Sequence, residues 1–323
     1  MIVAGIDEAG YGPLLGPLVV GCCAFDLGSQ VRPDELPCLW KRLSKVVSKN
    51  RLVSGRKLHV NDSKLVYSPA NGLKELERSV LAVLCASGEM PADLCEALGK
   101  MADHVLEEMP DYPWYRPTED EAFPLEQAAL PIQMFANALR AEMGRTQTKC
   151  VYLAARVVLE RRLNQLMNAT RNKASVLFSV TAIHLDYLLK RFGGEPMTIF
   201  CDRQGGREHY GSLLRLMFDE WSLEVVREQD GHSEYRLHAK GNSVRILFRE
   251  KAEMQCMAVA LASMLSKYLR EALMRRFNAF WAGHMPEVVP TAGYYNDGTR
   301  FLRDIDIKRR ELGIADEELI RSR

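Results

Sequence analysis

The chain has 323 residues, 47% of them hydrophobic and 8% aromatic, which is enough apolar material for a sizeable core. Its 43 basic and 42 acidic residues leave a formal charge of +1, so no global positive field marks a nucleic-acid partner and any such binding has to rest on a local patch. The eight cysteines are scattered without a C-x-x-C pair, as expected of reduced thiols in a cytoplasmic protein, and no apolar run reaches the roughly 18 to 20 residues that span a bilayer, so no membrane is expected.

The first stretch of interest is GIDEAGYGPLLGP, Gly5 to Pro17, joining two strand-like runs, Ile2 to Ile6 and Leu18 to Phe25, into a hairpin. Its glycines at positions 10, 12 and 16 nearly spell the dinucleotide fingerprint, with one residue too many before the last. Beyond Pro17 the chain enters a β-branched strand, not the helix whose bare N-terminus holds a pyrophosphate. Two adjacent acids, Asp7 and Glu8, would also repel a phosphate unless a cation lay between them. A polar, basic connection with HVNDSKL, His59 to Leu65, comes next, then a helix near Ala70 to Cys85.

From Glu89 to Lys149 the character changes. A helix at Asp93 to Met109 gives way to Pro110 to Pro124, whose prolines and charges oppose regular structure, and the whole segment reads as an insertion. Its aromatics, Tyr112, Trp114, Tyr115, Phe123 and Phe135, are suited either to docking on a partner or to packing against the core. Val151 to Val158 is strand-like, Ala174 to Phe192 has a helical pattern, and MTIFC, Met197 to Cys201, reads as a strand buried on both faces that ends at Asp202. Two more strands, Glu234 to His238 and Ser243 to Phe248, are linked by the turn AKGN. Met254, Met257, Leu261, Met264, Leu265 and Tyr268 then recur at helical spacing, with Glu253 in the first turn. The whole is expected to be one α/β domain over residues 1–323, interrupted by the insertion at about 89–149.

In open α/β sheets, sites lie beyond the carboxyl ends of the strands. If the strands ending at Asp7 and Asp202 run parallel as neighbours, both acids reach one crevice; a bend at Gly10 brings Glu8 round, and Glu253 supplies a fourth carboxylate. Four carboxylates so close cannot all stay ionised unaided. An all-oxygen donor set without histidine or cysteine favours Mg²⁺ or Mn²⁺, and two ions about 3.5 to 4 Å apart clamp an in-line phosphoryl displacement. Singly, each acid also reads as a turn polar, a helix cap or a first-turn acid.

The combination resembles ribonuclease HII. GIDEAGYGPLLGPLVVG matches an opening in which an aspartate-glutamate pair precedes an Ala-Gly-Arg-Gly-Pro turn and a valine-rich strand; NDSK, Asn61 to Lys64, TIFCD, ALASMLSK, Ala260 to Lys267, and GYYNDGTRFL, Gly293 to Leu302, resemble further blocks in the same order. The resemblance implies a ribonuclease H-like fold, a mixed five-stranded sheet flanked by helices. It also implies a Mg²⁺ or Mn²⁺ dependent endonuclease, monomeric, acting on RNA/DNA hybrids or on duplex DNA with single ribonucleotides. The alternatives are a related nuclease with another nucleic-acid substrate, or a binding protein that keeps the fold without turnover.

Carried over by position, Asp7, Glu8, Asp202 and Glu253 are the catalytic metal ligands. Gly10, Tyr11 and Gly12 form the turn that reads the 2′-hydroxyl, Ser263 of the ALASMLSK block is a substrate contact, and Tyr294 packs on the sugar. Lys64, Arg203, Lys267 and Arg300 are phosphate contacts, each with an ordinary solvated-surface reading beside it. Three departures stand out: Glu253 where the family has aspartate, Tyr11 where it has arginine, and Tyr295 where it has proline. Tyrosine cannot neutralise a phosphate as arginine does.

Overall fold

Strands β1, Ile2–Ala9, and β2, Leu18–Asp26, pair antiparallel over their whole length, as two strand-like runs joined by a Gly/Pro turn predict. The computed structural model describes every residue except 30, 32–35, 37, 53, 54, 71, 118–120, 240 and 323. The remaining strands of the main sheet are β3, Lys149–Val158, β4, Met197–Asp202, β5, Ser222–Gln229, β6, His232–Ala239, and β7, Asn242–Arg249. Lys240, in the AKGN turn, lies outside the described residues.

The sheet order is β3-β2-β1-β4-β7-β6-β5. Strands β1, β4 and β7 run parallel to one another, and the other neighbours are antiparallel. The central run β3-β2-β1-β4-β7 is a mixed five-stranded sheet, the number of strands the resemblance implies. The expected width is corrected on one side: β6 and β5 extend the β7 edge, giving seven strands among the described residues. Strand β5, SLEVVREQ, is largely exposed, so it lacks the apolar alternation that marks a strand in sequence.

Helices of nine or more residues are α1, Lys74–Ser87, α2, Leu94–Ala102, α3, Ala129–Arg145, α4, Glu160–Thr170, α5, Lys173–Phe192, α6, Met257–His284, and α7, Tyr295–Glu311. Odd-numbered residues of β1 and β2 face one core, built with α1, α2, α3 and α6; even-numbered ones face a second, built with α4 and α5. The alternation of side chains across a strand gives each layer its own apolar set. Helix α6 lies nearly on the backbone of β1: a Cβ on Gly5 would stand 2.2 Å from the Ala258 carbonyl carbon, so only glycine permits this approach.

The aromatic part of segment 89–149, read from the sequence as an insertion, faces inward. Tyr112, Trp114 and Tyr115 are at most 3% exposed, and Trp114 meets Phe277 and Phe280 of α6 edge-on at 6.0 and 6.3 Å. Fully buried Glu77 of α1 accepts the backbone N–H groups of Leu125, Glu126 and Gln127 and the Tyr268 hydroxyl. Arg276 of α6 pairs with Glu121 and donates to the Tyr115 carbonyl at 3.0 Å. These aromatics are core side chains and offer no docking surface. The stretch 110–124 holds two 3₁₀ turns, Met109–Asp111 and Pro113–Tyr115; its residues 118–120 lie outside the described ones.

Candidate active site

Strands β1 and β4 are parallel neighbours with Ile6 opposite Cys201, so Asp7 and Asp202 occupy the next step of the ladder at their carboxyl ends. The sheet thus brings them together as the sequence predicts. The expected bend that turns Glu8 round is absent: β1 continues to Ala9, with Glu8 paired to Val20. Glu8 nevertheless feels Asp202, Lys64 and Glu253. Glu253 is not in the first turn of α6 either. It sits on a separate 3₁₀ turn, Ala252–Met254, whose Ala252 N–H donates to Asp202 Oδ1 at 3.0 Å, so one acid places the turn that carries the other.

Electrostatics mark these four side chains. Burial, then Glu8 and Asp202, push Asp7 well above the usual carboxyl range; burial and then Asp202 push Glu8 up to about 7. Glu253 is raised to about 7 by the same two causes in the same order, and burial raises Asp202. Glu253 Oε2 is buried without a hydrogen-bond partner. Among the described residues no three His, Cys, Asp or Glu side chains lie close enough to hold a metal ion. The acids therefore sense one another without closing into a ligand cluster. Their all-oxygen chemistry, their raised affinity for protons and the orphaned Glu253 oxygen fit a hard divalent cation.

Helix α6 closes the site from one side. Ser263 is 3% exposed, donates to Ser63 Oγ at 3.0 Å and bonds to the Asp7 carboxylate; Ser266 Oγ donates to the Asp7 carbonyl at 3.0 Å. Ser63 comes from the NDSK block, where Asp62 caps the short helix Ser63–Val66 by accepting the Lys64 N–H. Lys64 lies near enough to lower the pKa of both Glu8 and Asp202, which makes it the predicted phosphate contact that stands beside the acids.

The other cations are engaged elsewhere. Arg203 faces Asp230 at 3.2 Å, Glu250 at 3.5 Å and Glu208 at 3.9 Å. Lys267 pairs with Glu271 at 2.7 Å and lies 4.6 Å from the Tyr67 ring centroid. Arg300 is held by Asp297, Asp304 and the carbonyls of Val289 and Pro290.

The glycine turn borders the acids. Gly10 has φ +87°, and a Cβ there would lie 2.4 Å from the Pro17 oxygen, so the position demands glycine, while Gly12 is open to solvent. Tyr11 is half-buried, with its hydroxyl turned toward Gly205. Burial and then Glu8 raise its pKa, and Arg207 opposes them. Lys173 Nζ stands 5.2 Å from its ring centroid. Positive charge missing at position 11 is thus present around it. Leu14 and Leu15 both donate to the Gly293 carbonyl, which docks the half-exposed Tyr294 beside the turn.

Sequence reasoning missed Arg270 and Arg321, buried under this turn. Arg270 carried a signal: with Ser263 and Ser266 it lies on one stripe of α6 at helical spacing. Arg321 carried none.

No family model matches the chain. It is 48% identical over 61 residues to a ribonuclease HII of Methanocaldococcus jannaschii, covering 19% of this chain and 25% of that protein, and 33% identical over 85 residues to one of Gluconobacter oxydans, covering 26% and 39%. Over these stretches the chain is similar to ribonuclease HII. It thus aligns with well under half the length of either ribonuclease HII. The ribonuclease HII of Archaeoglobus fulgidus, solved in complex with PCNA, superposes with a TM-score of 0.42 at 15% identity, over 100% of this chain and 95% of that one. A Bst ribonuclease HIII solved with Mn²⁺ gives 0.43 at 14%, over 99% and 66%.

Proposed function

We propose that the chain is a divalent-metal-dependent endonuclease that cuts the RNA strand, down to a single ribonucleotide, in duplex with DNA. One observation carries the reading: four carboxyl groups converge where two parallel strands end, each with its pKa raised. The partial identity to proteins named ribonuclease HII supports the substrate class.

Asp7, Glu8, Asp202 and Glu253 are the residues that would hold Mg²⁺ or Mn²⁺. When bound, two such ions supply an activated water and stabilise the leaving 3′-oxygen. The protein's own part is placement. Ser263 and Ser266 fix the side chain and the carbonyl of Asp7, and Asp202 fixes the Glu253 turn. Lys64 is set to meet a phosphate beside the acids, Tyr11 and Tyr294 offer rings to sugar or base, and the amides of the glycine turn offer donors to a 2′-hydroxyl. The eight free cysteines suit a reducing cytoplasm, and no described helix is long and apolar enough to cross a membrane.

The test is cleavage of duplex DNA carrying one embedded ribonucleotide, in Mg²⁺, in Mn²⁺ and in EDTA. Metal-dependent cutting at the ribonucleotide, with the all-DNA duplex intact, is expected. Binding without cutting would indicate a binding protein on this fold, and cutting confined to other RNA-containing substrates would indicate a related nuclease.

A further inference from the structure

The floor of the glycine turn is held by a residue from the opposite end of the sequence. Arg321, 3% exposed, donates from Nη1 to the carbonyls of Gly10 at 2.6 Å and Gly16 at 3.4 Å, and from Nη2 to that of Tyr11 at 3.3 Å. Its backbone N–H bonds the Leu14 carbonyl at 3.0 Å. The segment that delivers it is tethered to α4: Asn164 donates to the carbonyls of Glu317 and Ile320 and accepts the Ser322 N–H.

A guanidinium buried this deeply is costly unless its donors are satisfied, and a carboxylate is the usual partner. Here the facing carboxylate, Glu160, is hydrogen-bonded to the Tyr115 hydroxyl of the insertion at 2.6 Å, and its Oε2 has no partner. Arg321 spends its donors on backbone carbonyls instead. Burial and then Arg270 lower its pKa only to about 10, so it is a cation at neutral pH.

Peptide geometry carries the effect of Arg321 to the outer face of the turn. In a trans peptide the C=O of one residue and the N–H of the next point in opposite directions from one rigid plane. Drawing the carbonyls of Gly10 and Tyr11 inward onto Arg321 therefore turns the N–H groups of Tyr11 and Gly12 away from Arg321, to the opposite face of the turn. We propose that Arg321 is a positioning residue for substrate recognition: it fixes two successive peptide planes so that the amides of Tyr11 and Gly12 present donors to the sugar of a ribonucleotide. This rests on the nuclease reading above for the ligand, though not for the geometry. Tyr115, through Glu160, joins the insertion to the same support.

Two readouts test it, one of them independent of any substrate. Amide hydrogen exchange over residues 10–16 is measured in wild type, Arg321→Lys and Arg321→Ala, the last with and without millimolar guanidinium. Binding in EDTA is titrated on duplexes with and without one ribonucleotide. Arg321→Ala is expected to speed exchange across the turn by about tenfold or more and to bring the affinity ratio of the two duplexes down about tenfold, toward one. Free guanidinium is expected to restore both, and Arg321→Lys, which cannot span three carbonyls, to restore them only in part. Should Arg321→Ala prove too unstable, Arg321→Lys carries the same readouts. Wild-type exchange and ratio in the variants, with only a lowered Tm, would overturn the proposal and leave Arg321 as a tail anchor. A wild type that does not distinguish the duplexes would instead count against the nuclease reading, and the exchange data would still decide the role of Arg321.

Discussion

Two buried charge clusters lie within a few residues of each other in β1 and the adjoining turn, and they are resolved in opposite ways. At the end of the strand, Asp7 and Glu8 meet Asp202 and Glu253, and each carboxyl is driven toward its neutral form. Under the turn, Arg270 and Arg321 are as deeply buried, yet their charges are met, Arg270 by Glu271 and the carbonyls of Leu15 and Ala292, and Arg321 by the carbonyls of Gly10, Tyr11 and Gly16. The acid cluster is frustrated and would gain from an added cation; the cations under the turn have partners for all but the Arg270 Nε. A chain can place a charge-starved acid cluster beside a turn braced by buried cations because different groups answer for each.

The comparison breaks most readily at Asp202. Asp202→Asn removes one repelling charge and one ligand, so cleavage of the single-ribonucleotide duplex is expected to fall by about a thousandfold or more while the fold persists. In metal-free buffer the variant is expected to melt above wild type. The pH dependence has a defined sign. Glu8 and Glu253 rise from 4.5 to about 7 on folding, so the folded state holds protons more tightly; their contribution to stability is complete below about pH 4.5 and is lost as pH rises through about 7. Thermal melts in EDTA from pH 4 to 8, repeated with Mg²⁺, check this: metal is expected to recover stability at the alkaline end. Active Asp202→Asn protein would dissolve the contrast.

The second test concerns what supports both clusters. Trp114 belongs to the insertion but is packed on Phe277 and Phe280, so Trp114→Ala is expected to cost about 3 to 5 kcal/mol in denaturant unfolding, as for a core aromatic. A loss under about 0.5 kcal/mol, typical of a surface site, would make the insertion an ornament.

The smallest effect is expected at Tyr11. Tyr11→Arg adds a charge-assisted phosphate contact, yet Lys173 and Arg207 already stand beside the ring and oppose a third cation. Binding of a ribonucleotide-containing duplex is expected to tighten by about tenfold at most, with a steeper salt dependence, read from titrations over a salt series. Unchanged slope and affinity would place the substrate away from position 11.

Much of the acid site was legible because its parts are local. Asp7 lies near the end of one buried strand and Asp202 ends another, and the rule that sites gather at carboxyl ends joins them without further information. Glu253 was legible in type but misplaced, since a 3₁₀ turn and a helical first turn look alike in sequence. The ties of Arg300 to Asp297 and Asp304 were also readable, at i,i+3 and i,i+4 spacing, and they weaken its reading as a phosphate contact. The inward face of the insertion was not legible: the partners of Trp114 and Glu121 come from α6, more than 150 residues later, and no periodicity encodes a contact of that range. Strand β5 was hidden by its own polarity.

The bond from Arg321 to Gly10 spans 311 residues, which sets an order of events in synthesis. At about 5 to 20 residues per second, a ribosome takes roughly 15 to 60 s to cover that distance. Throughout that interval the nascent chain already carries Asp7 and Glu8, and later Asp202 and Glu253, while the peptide planes beside them have nothing to lock onto. The turn is therefore locked long after it is made: an incomplete chain carries the four acids before it carries the guanidinium that fixes the peptide planes beside them.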